Sequence, residues 1–432
     1  MRETGNTDVR RSLAAGLMMV LLAACGGGGG GGGGGSSGLG SGSGSGSGVP
    51  GNPTGANVQQ VIVDNGPAST AATTPTVNTL YTTVVVCEPN TSTCQSVDHI
   101  QVDTGSYGLR IMGSVLTAVS LPAVTDSNHN ALAECTPFVD GSSWGPLRQA
   151  DVKIGGETAA AQVIQVIGDP HGPGVPSGCT GKQENTVSSF GANGILGIGP
   201  FIQDCGSGCT TQLSSNPYYV CTSTASTSCT QTTVALTAQV SNPVAAFTTD
   251  NNGVAILLPT VASSGAPSVS GYLVFGIGTQ GNNGLGNAKI YDVDPSSGSF
   301  TTVFSGQSLK HSFLDSGSNA YFFSDAPSSL PTCTDNAAFY CPSATQNLSA
   351  TIQGSSGTSA TVPFSIANAD SLFSGASMVA ALSNLGGPIS STSGFGATDV
   401  FDWGLPFYYG RTVYTAFEAH TTSAGNGPYF AF

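Results

Sequence analysis

A short acidic motif occurs twice in this chain of 432 residues, each time after a run of strand-forming residues. The first copy is Asp103-Thr104-Gly105-Ser106 after Ile100-Gln101-Val102, and the second is Asp315-Ser316-Gly317-Ser318 after Phe313-Leu314. Two such copies predict a duplicated fold in which the two aspartates meet across a pseudo-two-fold axis. Carboxyl groups in contact share a proton, so that one serves as an acid and the other as a base.

Each copy is followed, at a similar distance, by a second apolar strand that ends in glycine. These strands are Gly194-Ile195-Leu196-Gly197 and Phe401-Asp402-Trp403-Gly404. Taken alone, either aspartate would be interpreted as a turn-capping residue in a glycine-rich β protein. The repeated order instead identifies Asp103 and Asp315 as candidate catalytic residues.

The composition predicts an all-β protein. Only 8% of the residues are charged, and short runs of Val, Ile, Thr, Tyr and Phe alternate with clusters of Gly, Asn, Pro and Ser. The length is sufficient for two domains. The net charge of -14 argues against a nucleic-acid partner, because phosphates require a basic surface.

The N-terminus has the order of features of an export signal. Arg10 and Arg11 precede an apolar run that is too short to span a bilayer. The run ends in Leu22-Ala23-Ala24-Cys25-Gly26, which resembles the bacterial lipoprotein box, in which the cysteine becomes the diacylated mature N-terminus. We therefore expect a signal peptide over residues 1–24 and a lipid anchor on Cys25. A signal peptide with a chance cysteine is the alternative.

Gly26, rather than an aspartate, follows that cysteine. By the same resemblance, this favours a bacterial outer-membrane lipoprotein, facing either the periplasm or the cell surface. Residues 25–60 are rich in Gly and Ser and are predicted to form a flexible tether. The stretch from Val49 to Val77 either has a propeptide-like role or adds an edge strand through Val61-Ile62-Val63, and the sequence leaves this choice open.

The cysteine count predicts five disulfides. The chain has 11 cysteines, and ten remain once Cys25 is set aside, an even number for an oxidising compartment. Most pairs are expected to be local, as the short separations of Cys87 from Cys94 and of Cys333 from Cys341 indicate, and Cys135 and Cys179 are left over. The connectivity among Cys205, Cys209, Cys221 and Cys229 is left open. The spacing of Cys and His predicts no metal site.

From about Asn78 onward the chain resembles the pepsin-like aspartic peptidases. The likeness is carried by both acidic motifs with their following strands, by the segments at 80–86, 152–164 and 271–276, and by a closing segment at 404–418. The resemblance implies an all-β, bilobal double β-barrel with pseudo-two-fold symmetry and a central cleft. It also suggests a little-characterised family of proteobacterial lipoproteins with this fold. The lobes are expected at 61–245, with Asp103, and at 246–432, with Asp315.

The same resemblance implies a role for each motif residue. Asp103 and Asp315 would hold the water that attacks a peptide bond, without a cofactor. The other motif residues would support this dyad, Thr104 and Ser316 by locking the two loops together, and Gly105, Ser106, Gly317 and Ser318 by donating hydrogen bonds to the carboxylates. A peptide or protein would be the substrate. One chain supplies both halves of the site, so a monomer is expected.

The resemblance weakens at the flap, the hairpin that closes over the dyad in that family. Phe138 takes the position of the flap tyrosine and Arg110 that of its tryptophan partner, and Tyr107 and Trp144 are candidate replacements. Leu405 stands where an aspartate often follows the second apolar strand. These departures keep open a catalytically silent protein that binds a peptide or an envelope ligand in the cleft. A purely structural surface protein is a third alternative.

The residue types of two other catalytic motifs are also present, but without the structural context that each motif requires. Asp103, His171 and Ser377 follow the chain order of a subtilisin-like triad, but the His171 segment is rich in Gly and Pro, and no strand–helix alternation is present. Residues 141–145 fit a nucleophile elbow without its strand-then-helix context, and we interpret them as a turn. His311 is expected to lie on a strand surface.

Overall fold

The computed structural model describes residues 51–139, 141–214, 216–323, 330–374, 379–389 and 399–432. The predicted signal peptide, Cys25, the tether up to residue 50 and Ser377 lie outside these residues. The expectations about export and lipidation therefore stay predictions.

Strands dominate the fold, at 42% of the described residues against 8% in helices. In the first part of the chain they are β1 Val58–Val63, β2 Leu80–Cys87, β3 Cys94–Asp103, β4 Tyr107–Met112, β5 Ala131–Pro137, β6 Ser142–Ile154, β7 Glu157–Ile167, β8 Gly194–Ile198, β9 Tyr218–Cys221, β10 Cys229–Gln231, β11 Gly253–Leu257 and β12 Val269–Phe275. In the second part they are β13 Ile290–Asp292, β14 Phe300–Phe304, β15 Gln307–Leu314, β16 Tyr321–Phe323, β17 Gln346–Gln353, β18 Ser359–Ile366, β19 Gly386–Gly387, β20 Phe401–Trp403, β21 Thr412–Ala416, β22 Thr421–Thr422, β23 Gly425–Asn426 and β24 Tyr429–Ala431.

The helices are short. The α-helices are α1 Val187–Phe190, α2 Gly208–Thr211 and α3 Ala369–Phe373, and the 3-10 turns are Gly113–Val115, Ser226–Ser228, Leu236–Ala238, Pro243–Ala246 and Leu405–Phe407. Within the described residues, none of the helices has the length and apolar content to cross a bilayer.

The strands form two large sheets. One has 15 strands in the order β10-β9-β5-β6-β7-β4-β8-β3-β2-β1-β12-β11-β21-β24-β13, and the other has seven in the order β18-β17-β14-β15-β20-β16-β19. A third sheet pairs β22 with β23. Two barrel-like sheets are the arrangement of a bilobal pepsin-like fold, so the predicted all-β fold class is confirmed.

Strand β1 connects the two halves of the chain. It pairs with β12, where Val61 lies opposite Gly271, and with β2, where Ile62 lies opposite Tyr81. The alternative of an edge strand is therefore wrong, because hydrogen-bonding partners on both sides place β1 inside the sheet. The strand also begins at Val58, within the segment assigned to the tether. The lobe boundary at 245 stays a prediction.

The internal duplication is visible in the strands that follow the two motifs. Strand β8 is parallel to β3 and antiparallel to β4, and β20 is parallel to β15 and antiparallel to β16. Gly197 lies within β8 and Gly404 directly follows β20, and a Cβ at either would collide with neighbouring backbone, at Tyr107 or at Ala320. Glycine is needed there because three backbone segments converge.

Aromatic side chains fill the core beneath the second motif. Phe401 lies 4.3 Å from Trp403 and 4.8 Å from Phe323, measured between ring centroids, and all three are fully buried. Each such side chain stabilises the fold by roughly 1.5–3 kcal/mol through removal from water. Because side chains alternate along a strand, Asp402 points to the opposite face of β20, away from this cluster.

Five disulfides are formed, as predicted, and the open connectivity is now assigned. The pairs are Cys87–Cys94, Cys135–Cys179, Cys205–Cys209, Cys221–Cys229 and Cys333–Cys341. Four of them close loops of four to eight residues, whereas Cys135–Cys179 spans 44 residues and ties β5 to a distant loop.

Candidate active site

The structure brings the two motif aspartates together. Asp103 is the last residue of β3 and Asp315 follows the last residue of β15. Both are buried, at 2% and 0% exposure, and their carboxyl groups hydrogen-bond to each other. Two acidic side chains far apart in sequence thus form one buried pair.

Thr104 and Ser316 lock the two motif loops together by reciprocal hydrogen bonds. The Thr104 amide donates to Ser316 Oγ over 3.1 Å, and the Ser316 amide donates to Thr104 Oγ1 over 3.0 Å. Each hydroxyl in turn donates across the axis, Thr104 to Leu314 O over 3.1 Å and Ser316 to Val102 O over 2.8 Å. These buried bonds fix the relative position of the two aspartates.

Backbone amides hold each carboxylate. Gly105 N donates to Asp103 Oδ1 and Gly317 N donates to Asp315 Oδ1, both over 2.7 Å. The Ser318 amide donates to the same Asp315 oxygen over 3.2 Å, and Ser318 Oγ lies 3.1 Å from Asp315 Oδ2.

The two lobes differ at the serine that ends each motif. Ser106 Oγ is buried near Asp103 and lowers the pKa of that carboxyl, yet among the described residues no partner lies in hydrogen-bonding geometry. The expected hydroxyl bond is therefore present at Ser318 and absent at Ser106.

Gly317 is required by the closeness of the pair. A Cβ at this position would overlap Asp103 Oδ1 and lie 3.0 Å from Asp315 Oδ1. Its carbonyl oxygen also accepts a hydrogen bond from Gln101 Nε2 over 2.9 Å, which adds a contact between the lobes.

Burial and mutual repulsion keep the pair protonated to higher pH than exposed carboxyls. Burial raises the pKa of Asp103, and the hydrogen bonds from Asp315 and Gly105 and the nearby Ser106 hydroxyl act in the opposite direction. Burial also raises the pKa of Asp315 well above its usual range, and the nearby charges of Asp103 and Asp402 raise it further. The pair titrates as a unit, with one proton shared over an extended pH range.

Asp402 is a third acidic residue at this site, and sequence reasoning missed it. Its Oδ2 lies 2.6 Å from Ser318 Oγ, and the residue is 5% exposed. Burial raises the pKa of Asp402 well above its usual range. The available signal was an acidic residue inside a strand that was otherwise interpreted as apolar.

The flap hairpin, which consists of β5 and β6, is fastened on its outer side. Strand β5 pairs with β9, and Cys135 is joined to Cys179. At the tip, Ser142 N donates to Lys182 O over 2.8 Å, and Glu184 N donates to Ser142 O over 2.9 Å. A hairpin held by a sheet neighbour, a disulfide and a loop is restrained in its motion. Residues 142–145 are thus part of β6, and their interpretation as a turn is wrong, because they pair with β5.

The three predicted flap or substrate-binding residues are all buried in contacts of their own. The Phe138 ring packs 5.5 Å from Phe190. The Trp144 indole N–H donates to Pro173 O over 2.6 Å, and its ring lies 5.3 Å from Tyr219. The Tyr107 ring lies 5.4 Å from Phe201.

Arg110 forms a buried ion cluster where the family resemblance places a tryptophan. Its Nη2 lies 2.9 Å from Glu134 Oε1 on the flap hairpin and 2.8 Å from Asp204 Oδ2, and its Nε donates to Thr136 Oγ1 over 3.0 Å. Tyr218 OH donates to the other Asp204 oxygen over 2.6 Å. Charge-assisted bonds therefore link β4 to the flap hairpin.

The remaining sequence candidates are not part of the pair. Leu405 is fully buried, and its amide donates to Ser318 O over 2.7 Å. His311 lies on β15 with Nδ1 2.7 Å from Asp399 Oδ2. One group of metal-ligating side chains clusters in the described part of the chain, Cys333, Cys341 and Asp370, and its cysteines form a disulfide, which removes them as thiolate ligands.

Comparison with known proteins gives one family match. The model of the family described as "Protein of unknown function (DUF3443)" matches residues 53–432. No curated protein matches the chain. Among solved structures, the crystal structure of aspartic proteinase from Irpex lacteus is similar at 16% sequence identity, with a TM-score of 0.48 over 87% of this chain and 96% of that chain.

Proposed function

We propose an aspartic endopeptidase activity for this chain, which belongs to the family of proteins of unknown function DUF3443. The observation that carries the proposal is the buried pair of Asp103 and Asp315, aligned by the reciprocal bonds of Thr104 and Ser316. A structural role alone does not account for two hydrogen-bonded carboxyls in a low-dielectric site, because burying acidic groups is costly. Perturbed acidic pairs of this kind are typical of acid–base catalysis.

In the proposed reaction, the pair activates a water molecule for attack on a peptide carbonyl. The ionised carboxylate of the pair accepts a proton from the water while the protonated carboxyl donates one to the carbonyl oxygen. The amides of Gly105 and Gly317 hold the two carboxylates in place during this exchange. The carboxyl that accepted the water proton then donates it to the leaving nitrogen as the C–N bond breaks, and a hydroxyl of the tetrahedral intermediate returns a proton to the other carboxylate. No covalent enzyme intermediate forms.

The test is cleavage of an unfolded protein by the full chain across about pH 3 to 7, the range in which carboxyl pairs exchange protons. We expect cleavage at acidic pH, inhibition by a statine-type compound, and loss of cleavage by about 100-fold or more in Asp103→Asn and in Asp315→Asn. Asp250→Asn is the matched control, since Asp250 is a buried aspartate at 2% exposure outside the pair. A folded protein that cleaves nothing at any pH would reject the proposal.

We also propose that the protein is tethered to the bacterial outer membrane through a lipid on Cys25 and acts there on a peptide or protein as a monomer. The support is the order of charge, apolar run and small-residue box in residues 10–26. Mass spectrometry of the mature N-terminus tests the lipid. An unmodified Cys25, or cleavage of the signal elsewhere, would contradict it.

A second candidate function, binding of a peptide or envelope ligand without turnover, is favoured by the fastened flap hairpin. Cys135–Cys179 and the Arg110 cluster restrain a segment that must open and close in a peptidase cycle. In that case a statine-type compound binds the full chain, measured by calorimetry, while no substrate is cleaved.

A further inference from the structure

We propose that Asp402 is a third carboxyl group of the candidate active site, which holds a proton and positions Asp315 through the Ser318 hydroxyl. The role of Asp402 in catalysis rests on the proposed peptidase function. The protonation of Asp402 and its bond to Ser318 do not depend on that function.

The strand register places Asp402 beside the pair. In β20, Asp402 lies opposite Phe313 of β15 and opposite Phe322 of β16. Its neighbours Phe401 and Trp403 point into the aromatic core, so the Asp402 side chain lies on the face that carries Ser318 and Asp315.

The contacts of Ser318 require a proton on one of these two carboxyls. Ser318 Oγ lies 2.6 Å from Asp402 Oδ2 and 3.1 Å from Asp315 Oδ2. A hydroxyl has one proton and donates one hydrogen bond. If both carboxyls were ionised, one of these contacts would join two oxygens with no proton between them, which is repulsive.

The surroundings assign this proton to Asp402. An ionised Asp315 accepts two amide bonds, from Gly317 and Ser318. An ionised Asp402 would accept the Ser318 hydroxyl alone, because its Oδ1 is buried and has no hydrogen-bond partner among the described residues. An uncompensated buried charge is expensive, so Asp402 is neutral and donates to Ser318, which donates to Asp315.

The neighbouring titratable groups do not stabilise an ionised Asp402. Asp103, Asp315 and Tyr408 interact electrostatically with Asp402, and further negative charge there disfavours its ionisation. On the flanking strands the titratable residues are Lys310 and His311 of β15 and Tyr321 of β16. In the described part of the chain, no cation forms an ion pair with Asp402.

The first lobe lacks this arrangement. In the parallel register of β3 and β8, Gln101 lies opposite Ile195, just as Phe313 lies opposite Asp402. The counterpart of Asp402 is therefore a buried isoleucine. Ser318 Oγ therefore lies between two carboxyl groups, whereas Ser106 Oγ has no hydrogen-bond partner among the described residues.

The test compares Asp402→Asn with Asp402→Leu in the full chain. An asparagine amide donates to Ser318 as a protonated carboxyl does but cannot lose its proton, and leucine cannot donate. The measurement is the infrared difference spectrum between the wild type and each variant at neutral pH. We expect the carbonyl stretch of one buried protonated carboxyl to be present in the wild type and absent from both variants. If that band does not depend on Asp402, the proposal is overturned, whether or not the protein cleaves peptides.

The second readout is the pH profile of cleavage. We expect Asp402→Asn to retain kcat within about tenfold and to move the alkaline loss of activity to higher pH, whereas Asp402→Leu loses about 100-fold in kcat at every pH. Ser318→Ala, which removes the hydroxyl between the two carboxyls, shifts the alkaline limb, while the control Asp250→Asn, a buried aspartate outside the pair, leaves it in place. Equal losses of kcat in Asp402→Asn and Asp402→Leu with unchanged pH profiles would overturn the positioning role.

Absence of cleavage in the wild type would reject the peptidase function and leave the infrared result to decide the protonation of Asp402.

Discussion

The Arg110 guanidinium donates to Glu134 Oε1 over 2.9 Å and so joins the strand that follows Asp103 to the flap hairpin. Arg110 and Glu134 are each about 1% exposed, and Asp204 completes the cluster at 8%. Burial, followed by the charge of Glu134, raises the pKa of Asp204 well above its usual range. A single cation therefore balances two buried acidic groups, and the stability of the flap attachment depends on it.

Replacing this cation is expected to destabilise the fold strongly. Arg110→Met should lower the free energy of unfolding by about 3–5 kcal/mol, because buried acidic groups lose their partner. Urea denaturation measures the loss. Arg148→Met is the control, since the Arg148–Asp169 pair is partly exposed, at 22% and 12%, and should cost about 0–1 kcal/mol. Equal losses of unfolding free energy in the two variants would show that the buried cluster stabilises the fold no more than the partly exposed ion pair does.

The reciprocal bonds at the pair predict a cost for Thr104→Val. This variant leaves the Ser316 amide and the Leu314 carbonyl without their bonds to Thr104 Oγ1, and each buried group left unpaired costs about 1–3 kcal/mol. Thr82→Val, which removes a single bond to Gln60 O, should cost about 0.5–1.5 kcal/mol. Thermal unfolding compares them, and a smaller loss for Thr104→Val than for Thr82→Val would contradict the inter-lobe lock.

The contact of Gly317 with both carboxyls predicts that Gly317→Ala separates the pair. The added methyl group must displace Asp103 Oδ1, and a misplacement on the order of 1 Å can reduce catalysis about 100-fold. Gly281→Ala is the matched control, because a Cβ there meets nothing within 4 Å. The measurement is the rate of peptide cleavage, with circular dichroism to verify folding. Full activity in Gly317→Ala would argue that the pair is not the catalytic centre.

The raised pKa of Asp315 makes the stability of the protein depend on pH in a defined direction. Between its unfolded pKa, about 4, and its higher folded pKa, the folded state binds more protons than the unfolded state. The stability that Asp315 contributes should therefore be fully present below about pH 4 and should be lost as the pH rises through its folded pKa. In Asp315→Asn the loss of stability with rising pH should be smaller, and the remainder should come from the other buried acids, Asp103, Asp204 and Asp402.

Urea denaturation at a series of pH values measures this slope. Asp250→Asn shows the generic effect of replacing a buried aspartate with an amide. A slope that is identical in the wild type and in Asp315→Asn would mean that Asp315 does not carry a raised pKa.

The sequence by itself predicted the all-β class, the number of disulfides and the pairing of Asp103 with Asp315 as candidates. These features depend on local signals, namely alternating apolar residues, turn clusters and a motif that occurs twice at matching distances. The meeting of the two motif copies can be predicted without knowing the long-range contacts, because the pseudo-symmetry of the fold brings them together. The pairing of the cysteines between 205 and 229 stayed open, since spacing alone does not specify it.

Only the tertiary structure decided how the flap hairpin is held and which groups surround the pair. Arg110 meets Glu134 and Asp204, and Asp402 meets Ser318, across separations of 24, 94 and 84 residues. An acidic residue in a strand is interpreted from sequence as a solvent-facing position, since ionised groups are rarely buried. Whether it instead lies in the interior beside another acid depends on strand register, which the packing of the whole sheet fixes.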